Sequence, residues 1–434
     1  MSNEPSLTTS SMGSDGIRLV VGLGMSGIGA VQSLDEAGQN WFAVEAQHIP
    51  GGWSQSNNVS HYRLDFGPHI MLDFDESLLQ WMDLNEEIEL RQHSSRSVFF
   101  CEVEGRSVPV HLPLSDNIDA LPNMSANDVP KTGKSNYVSH LIETFGPNVA
   151  MRFLVPYDRK RLCVDLETLP PRWNPRVQPA RKAKVGEASY LYPVDVGVGA
   201  LSKCLLKRLD QNRLRFGTKL VGLSLRRKRA YLSDGSSVRY ATLYSSLPLP
   251  ELLNLLEECP FDPDEIKHAL PYSSSELTYL AVREKWAQDY DFARIASQKI
   301  AFHRLTVLSA YSDRCCPTDE TLLMVETNHA PGMGMKSTAN PRQTLNQLIE
   351  LGMLSSDAQL TFSDTAHVEH SAIYMNSETS DFVARVRSVL ADSDVHLVGK
   401  FGRWEDLLMG GALKSGMNAV QKRLLHKQNK ESAL

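Results

Sequence analysis

The sequence lacks the features that define several other classes of protein. It has no excess of basic residues, since 45 Lys and Arg stand against 51 Asp and Glu in 434 residues. The resulting net charge of −6 does not favour a general nucleic-acid-binding protein, because phosphate backbones select basic surfaces. The composition, 42% hydrophobic and 22% charged, also excludes a disordered chain, a coiled coil and a collagen-like rod.

Cysteines and long apolar runs are also scarce. The six cysteines include no Cys-x-x-Cys pair, which argues against a disulfide framework and against a metal site. The adjacent Cys315 and Cys316 could be redox-active, although ordinary thiols are the simpler interpretation. No apolar run reaches the roughly 18 residues of a membrane helix, and the polar residues 1–16 are typical of a flexible arm. We therefore expect a cytoplasmic protein without membrane or nucleic-acid partners.

The most informative segment predicts a strand–turn–helix–strand unit. Residues 17–21 form an apolar run typical of a buried parallel strand, residues 26–37 predict a helix, and residues 41–45 predict a second strand. The first turn, from Gly22 to Gly27, reads Gly-x-Gly-x-x-Gly. This combination predicts a Rossmann-type α/β domain that binds a dinucleotide.

Each glycine of this turn has a physical role. Gly22 permits the tight turn, Gly24 lets the backbone approach a pyrophosphate, and Gly27 lets the helix pack close to the strands. The helix N-terminus then offers N–H groups and a positive dipole end to the phosphates. Glu45 ends the second strand, where its carboxylate can accept both ribose hydroxyls. We therefore expect these four residues to bind the cofactor.

The following residues resemble the glutathione-reductase-type flavoproteins, in which the fingerprint holds the ADP half of FAD. A glycine pair, Gly51 and Gly52, comes soon after the ribose-binding strand, and residues 64–69 read Leu-Asp-Phe-Gly-Pro-His. The resemblance favours FAD over NAD as the resident cofactor.

Further segments make the resemblance more specific. They resemble UDP-galactopyranose mutase and its neighbours among the protoporphyrinogen-oxidase-like and amine-oxidase-like flavoproteins, of which this chain looks like a divergent member. The resemblance spans residues 17 to 425. The segments that carry it are residues 66–69, 144–146, 155–162, 301–307 and 399–405.

This resemblance implies a mechanism. It implies ring isomerisation, between pyranose and furanose forms, of a nucleotide-linked sugar through a reduced-flavin N5 adduct, with NAD(P)H as a candidate electron donor. A bidentate arginine suits the clamping of a departing diphosphate, and Arg304 matches that position. His69 would lie near flavin N5, so His69 and Arg304 are the predicted catalytic residues.

Two alternatives stay open at this stage. One is an FAD-dependent oxidase or dehydrogenase of the amine-oxidase-like group, acting on a biosynthetic intermediate. The other is a flavin-fold protein that has lost catalysis and serves as a binding module. The oligomeric state is open too, with a homo-oligomer among the alternatives.

The resemblance also implies the remaining site residues. The further cofactor-binding residues are Gly51, Gly52, Ser54, Gly67, Val221, Gly399, Met409 and Gly410. The substrate-binding residues are Tyr157, Tyr192, Arg304, Lys400, Arg403 and Trp404.

This chain departs from the family pattern at its phosphate pocket. Lys400 stands where the family has a second phosphate arginine, and lysine supplies charge without the bidentate fork. Asp406 stands where the family often has a tyrosine, and Asp158 replaces an asparagine. Arg403 could compensate in part. The predicted pocket is therefore less positive than that of the family.

These interpretations predict an α/β fold: a Rossmann-type FAD-binding domain of the glutathione-reductase type, an inserted helical domain and an antiparallel β-sheet substrate domain. The predicted parts are a flexible arm (1–16), a discontinuous FAD-binding domain (17–75, 190–270 and 390–425), a mainly helical insertion (76–189), a substrate-binding sheet with helices (271–389) and a tail (426–434).

Overall fold

The computed structural model describes residues 16–84, 87–94, 96–111, 135–171, 189–331 and 340–431. The predicted arm of residues 1–16 therefore lies outside the described residues except for Gly16, and the last three residues of the predicted tail lie outside them too.

The described chain contains both strands and helices. The strands are β1 (Ile17–Val21), β2 (Trp41–Val44), β3 (Ser56–Val59), β4 (Tyr62–Asp65), β5 (Leu90–Ser94), β6 (Ser97–Val103), β7 (Arg106–His111), β8 (Ser189–Pro193), β9 (Leu214–Arg215), β10 (Leu220–Ser224), β11 (Arg229–Leu232), β12 (Ser237–Ser245), β13 (Tyr272–Val282), β14 (Phe292–Ile295), β15 (Arg304–Val307), β16 (Thr321–His329), β17 (Leu360–Ile373) and β18 (Val395–Leu397).

The α-helices are α1 (Met25–Glu36), α2 (Glu76–Met82), α3 (Tyr137–Val149), α4 (Val155–Leu162), α5 (Gly199–Lys207), α6 (Leu249–Asn254), α7 (Pro263–Ala269), α8 (Leu308–Tyr311), α9 (Pro341–Glu350), α10 (Thr379–Ala391), α11 (Gly399–Arg403) and α12 (Met409–Glu431). A π-helical turn (Ala150–Leu154) joins α3 to α4.

The first sheet is assembled from three separated stretches of chain. Its order is β10-β11-β12-β1-β2-β9, and β18 pairs with β12. The central strands β12, β1, β2 and β9 run parallel, as the buried apolar runs predict, whereas β10 and β11 are antiparallel. The parallel arrangement brings the carboxyl ends of β1 and β2 together, and ligands bind at such ends in α/β sheets.

Helices α1 and α12 pack against each other so closely that their backbones are in contact. A Cβ atom on Gly29 would overlap the Leu413 carbonyl, and one on Gly416 would overlap the Ser26 carbonyl. Glycine at both positions allows this close approach, which ties the C-terminal helix to the helix of the fingerprint.

The second sheet has the order β17-β13-β16-β15-β14-β6-β7 and is antiparallel except for the pair β14–β6. Its alternating side chains contribute to two apolar clusters, with Leu280 in one and Tyr279 in the other. Strands β13 and β15 lie within residues 271–389, where a substrate-binding sheet was predicted.

Two features of the domains were not predicted. The predicted mainly helical segment 76–189 contains β5, β6 and β7, of which β6 and β7 complete the second sheet. Their alternation is weak, because Cys101 and the phenylalanines before it form a continuous buried run. Helix α10, expected within the substrate part, packs through Phe382 and Val386 on the core of the first sheet. Among the described helices, none combines the length and apolar character needed to cross a membrane.

Candidate active site

The fingerprint turn is built from close backbone contacts. Gly22 has φ +89°, and a Cβ atom there would overlap the Ser246 hydroxyl. A Cβ atom on Gly27 would overlap the carbonyl oxygen of Gly22. Both positions therefore require glycine for the fold itself, before any ligand is considered.

Gly24 differs from these two glycines because it has room on the protein side. The nearest atoms to a Cβ at Gly24 would be the Gly51 carbonyl oxygen and the Gly52 Cα, both at 3.8 Å. Gly24 also caps α1 without a side-chain hydrogen bond, and the first turn of α1 has no acidic residue. Gly51 and Gly52 have φ +115° and +56°. This cradle and uncapped helix end fit the pyrophosphate of a dinucleotide.

Glu45 lies directly after β2 and is almost fully buried. One carboxylate oxygen accepts the Leu23 N–H at 2.6 Å and the other accepts the Gln47 N–H at 2.9 Å. These bonds orient the carboxylate against the fingerprint turn, and each oxygen keeps acceptor capacity for a ribose hydroxyl. The four fingerprint residues therefore lie together.

The other predicted cofactor residues are distributed unevenly. Ser54 donates its N–H to the Gly51 carbonyl at 2.9 Å, so it belongs to the same turn. Gly399 starts α11, and a Cβ atom there would overlap the Ser26 hydroxyl at the start of α1. Gly67 has φ +101° and lies beside the His69 ring. Val221 is 51% exposed on β10, at the far edge of the sheet, so no buried contact supports its predicted role.

The start of α12 contains two further predicted cofactor residues, Met409 and Gly410. The N–H groups of Gly410 and Gly411 donate to the Asp73 carboxylate at 2.9 and 2.6 Å. Met409 is buried in the core around α1. The helix end is thus capped by the Asp73 carboxylate, which accepts from both of these N–H groups. Sequence analysis missed Asp73 because it lies 337 positions from Gly410.

His69 lies near two of the predicted phosphate cations, Lys400 and Arg304. Its Nδ1 atom is buried and has no hydrogen-bond partner among the described residues. Burial, together with the nearby charges of Lys400 and Arg304, lowers the pKa of His69 to about 4. Three segments far apart in sequence therefore converge here, and His69 is neutral at pH 7.

Arg304 is held by a carboxylate that sequence analysis did not assign. Arg304 on β15 stands opposite Glu326 on β16, and its Nε and Nη2 atoms donate to the two Glu326 oxygens. Glu326 is 3% exposed, so the pair is a bidentate, largely buried ion pair. Although burial acts to lower the pKa of Arg304, Glu326 outweighs it and raises that pKa.

The other two predicted phosphate cations are paired as well. Lys400 Nζ lies 3.1 Å from an oxygen of Asp406, which stands where the family often has a tyrosine. Arg403 donates from Nε and Nη2 to Glu405, both at 2.8 Å, and Arg387 shares that carboxylate. All three predicted phosphate cations thus have a carboxylate partner. The charge of the predicted phosphate pocket therefore departs from the family pattern at more positions than Asp406 alone.

The predicted aromatic residues separate into two groups. Tyr157 on α4 contacts the ring of Phe99 at 5.6 Å and that of His303 at 5.7 Å, between the helix and the second sheet. Tyr192 is 3% exposed and donates its hydroxyl to Asp65. Trp404 is 1% exposed in the core of the first sheet. Tyr192 and Trp404 are thus buried in the core, and their substrate roles stay predictions.

Lys160 and Arg294 are two basic residues near Tyr157. Sequence analysis did not assign them to the site. Lys160 Nζ donates to four backbone carbonyls between residues 295 and 302, at 2.6 to 3.1 Å, and so anchors the loop before Arg304. Arg294 on β14 stands directly opposite Arg304. Lys160 lies in the segment 155–162 that resembles the family, which was the available signal, whereas Arg294 had none.

Comparisons with known proteins agree with this architecture. Residues 20–85 match the family model of an NAD(P)-binding Rossmann-like domain. No curated protein matches the chain in sequence.

Solved structures match over almost the whole chain. A reduced UDP-galactopyranose mutase is 21% identical, with a TM-score of 0.83 over 95% of this chain and 94% of its own. Cyclohexylamine oxidase from Brevibacterium oxydans is 16% identical, with a TM-score of 0.69 over 94% and 98%. A fatty acid isomerase from P. acnes is 12% identical, with a TM-score of 0.64 over 95% and 99%. The predicted fold class is confirmed, and the resemblance to UDP-galactopyranose mutase holds at the level of the fold.

Proposed function

We propose that the chain is an FAD-dependent enzyme that isomerises the ring of a nucleotide-linked sugar. The observation that carries this proposal is that Arg304 and Lys400 lie close enough to His69 to lower its pKa, in a chain that also has the glycine cradle at Gly24. The fold supports it, because the likeness to a UDP-galactopyranose mutase extends over almost the whole chain.

The residues of the turn fit the proposed cofactor. Gly24 leaves space for a pyrophosphate, Glu45 presents a carboxylate for the ribose, and α1 presents an uncapped N-terminus. Bound FAD supplies either a nucleophilic nitrogen, when reduced, or a hydride acceptor, when oxidised. NAD(P)H is the proposed electron donor.

The protein's own side chains then position the substrate. Arg304 uses two N–H groups on Glu326 and keeps its remaining guanidinium N–H groups for a ligand. His69, neutral at pH 7, interacts by hydrogen bonding rather than by charge. Tyr157 contributes an aromatic wall on the helical side. Fixed positions of this kind contribute to rate by orienting the reacting groups.

A second function has one observation in its favour. The carboxylates Glu326, Asp406 and Glu405 offset the charges of the three predicted phosphate cations. A substrate with less negative charge than a nucleotide diphosphate would suit such a site. We therefore keep an FAD-dependent oxidase or dehydrogenase of the amine-oxidase-like group as the alternative.

One pair of assays separates these functions. The protein, reduced with dithionite or NAD(P)H without oxygen, is incubated with nucleotide sugars, and products are resolved by chromatography. Isomerisation without consumption of oxidant supports the proposal. Peroxide release in air, with no isomerisation, assigns the oxidase instead. Protein that is colourless and takes up no FAD would exclude both and leave a binding module.

A further inference from the structure

Arg294 on β14 is a cation that has no carboxylate partner among the described residues. It stands opposite Arg304 on the neighbouring strand, and directly opposite residues of a sheet share a face. Like charges at such positions repel each other. On its other side Arg304 stands opposite Glu326, and both Glu326 oxygens accept hydrogen bonds from Arg304.

The contacts of Arg294 do not satisfy its hydrogen-bond donors. Its guanidinium lies over the rings of Phe292 and Phe99, at 4.8 and 5.5 Å from their centroids. Its Nη1 atom is buried and has no hydrogen-bond partner among the described residues. Ring faces attract the charge but accept no conventional hydrogen bond, so the N–H groups of Nη1 have no acceptor among the described residues.

The environment of Arg294 is otherwise positive and aromatic. Burial lowers the pKa of Arg294, Tyr157 opposes that effect, and Arg304 and Arg161 reinforce it. An arginine stays charged under these conditions because its ordinary pKa is so high. A partly buried charge of this kind costs stability until an anion binds it.

We propose that Arg294 binds the anionic group of the substrate, a carboxylate or phosphate oxyanion, while Arg304 is held beside it by Glu326. This deepens the proposed function and rests on its assumption that the substrate lies on this face of the second sheet. The aromatic rings of Phe99, Phe292 and Tyr157 are contact surfaces for the part of the substrate next to the anion.

Calorimetric titration of the purified full-length protein tests this assignment. The probes are UDP and inorganic phosphate for a phosphate group, and glucuronate for a carboxylate. We expect at least one probe to bind, with affinity weakened on the order of 10- to 100-fold by Arg294→Met and restored in part by Arg294→Lys. The control is Arg283→Met, which removes a cation whose side chain is 60% exposed and leaves affinity unchanged.

A second readout separates binding from folding. Because Arg294→Met removes an uncompensated cation, we expect it to raise the melting temperature of the ligand-free protein. Failure of all three probes to bind, or equal affinity in Arg294→Met, overturns the inference. Weaker binding with a lower melting temperature also overturns it, since Arg294 would then support the fold.

FAD content, measured in the same samples, distinguishes the two proposals. Oxyanion binding that depends on Arg294 in protein without FAD supports the inference while the proposed function fails. Equal FAD content in both proteins, with equal oxyanion affinity, removes the inference alone.

Discussion

The two sheets build their parts of the site by different means. The cofactor side depends on backbone contacts at glycines, such as that of Gly27 with the Gly22 carbonyl, within a few residues of each other. The second sheet depends on ion pairs between side chains of different strands, such as Arg304 on β15 with Glu326 on the neighbouring β16. Contacts between neighbouring residues can be recognised from a short motif, whereas the pairing of opposite charges depends on the whole fold. Chemistry can therefore change on the second sheet while the first sheet keeps its cofactor geometry.

The sharpest way to break this comparison is Gly27→Ala. The added methyl group would overlap a backbone carbonyl that cannot move without disrupting β1, so we expect a loss of about 4 kcal/mol or more in unfolding free energy. Soluble yield and chemical unfolding measure this loss. Gly24→Ala is the matched control, since its methyl group meets protein atoms only at 3.8 Å. Similar stability of Gly27→Ala and wild type would contradict the account.

The next largest effect concerns the buried ion pair of the second sheet. Arg304→Ala leaves the 3% exposed Glu326 without its partner, which costs about 3–5 kcal/mol when a buried pair is broken. We also expect turnover to be lost while FAD stays bound. The double variant Arg304→Met with Glu326→Met tests the cause, because replacing both charges recovers much of the stability. Equal unfolding free energies in the single and double variants would show that charge pairing is not the cause.

A smaller, pH-dependent effect comes from buried histidines on the second sheet and beside it. Burial lowers the pKa of His370 to about 4, although Glu369 opposes the shift, and burial acts likewise on His69. The unfolded chain binds protons near pH 6.5 and the folded protein does not, so stability falls as the pH drops from 6.5 to 4. The expected slope is about 1.4 kcal/mol per pH unit for each histidine.

Denaturant unfolding between pH 4.5 and 7 measures this slope. His370→Asn should flatten it, and replacement of the exposed His61 by asparagine should leave it unchanged. A wild-type slope of zero, or the same slope in all three proteins, is the outcome that this explanation does not allow.

The smallest effect on stability is expected at Lys400. Asp406→Asn breaks a partly exposed ion pair, which is worth about 1 kcal/mol or less. The variant is informative for ligand binding. Removal of the aspartate charge beside Lys400 should tighten UDP binding several-fold, as measured by calorimetry. Glu405→Gln, which perturbs Arg403 instead, serves as the comparison. Weaker UDP binding in Asp406→Asn would mean that the aspartate itself holds the ligand.

The sequence predicted the first sheet well for a physical reason. The strand, turn and helix of residues 17–44 are neighbours in the chain, so pattern and spacing suffice to place Gly22, Gly24, Gly27 and Glu45. The boundaries of β1 agree with the predicted apolar run. Short strands such as β11 could also be predicted, because the Ser-Asp-Gly turn marks the hairpin.

The second sheet shows where prediction from one sequence ends. Glu326 and Arg294 meet Arg304 only through strand register, and neither position carries a motif. Asp73 reaches the start of α12 from the other end of the chain. The cores that enclose Trp404 and Tyr192 form from segments far apart, so their burial could not be inferred from spacing.

The central claim is that this chain holds FAD through the cradle at Gly24. The most direct test is to reconstitute purified wild type and Gly24→Ala with FAD and to measure bound flavin by absorption, with melting temperatures of the flavin-free proteins alongside. We predict stoichiometric flavin in the wild type, little in Gly24→Ala, and similar melting temperatures in both. A wild type that retains no flavin, or a Gly24→Ala variant that retains as much as the wild type, would contradict the claim.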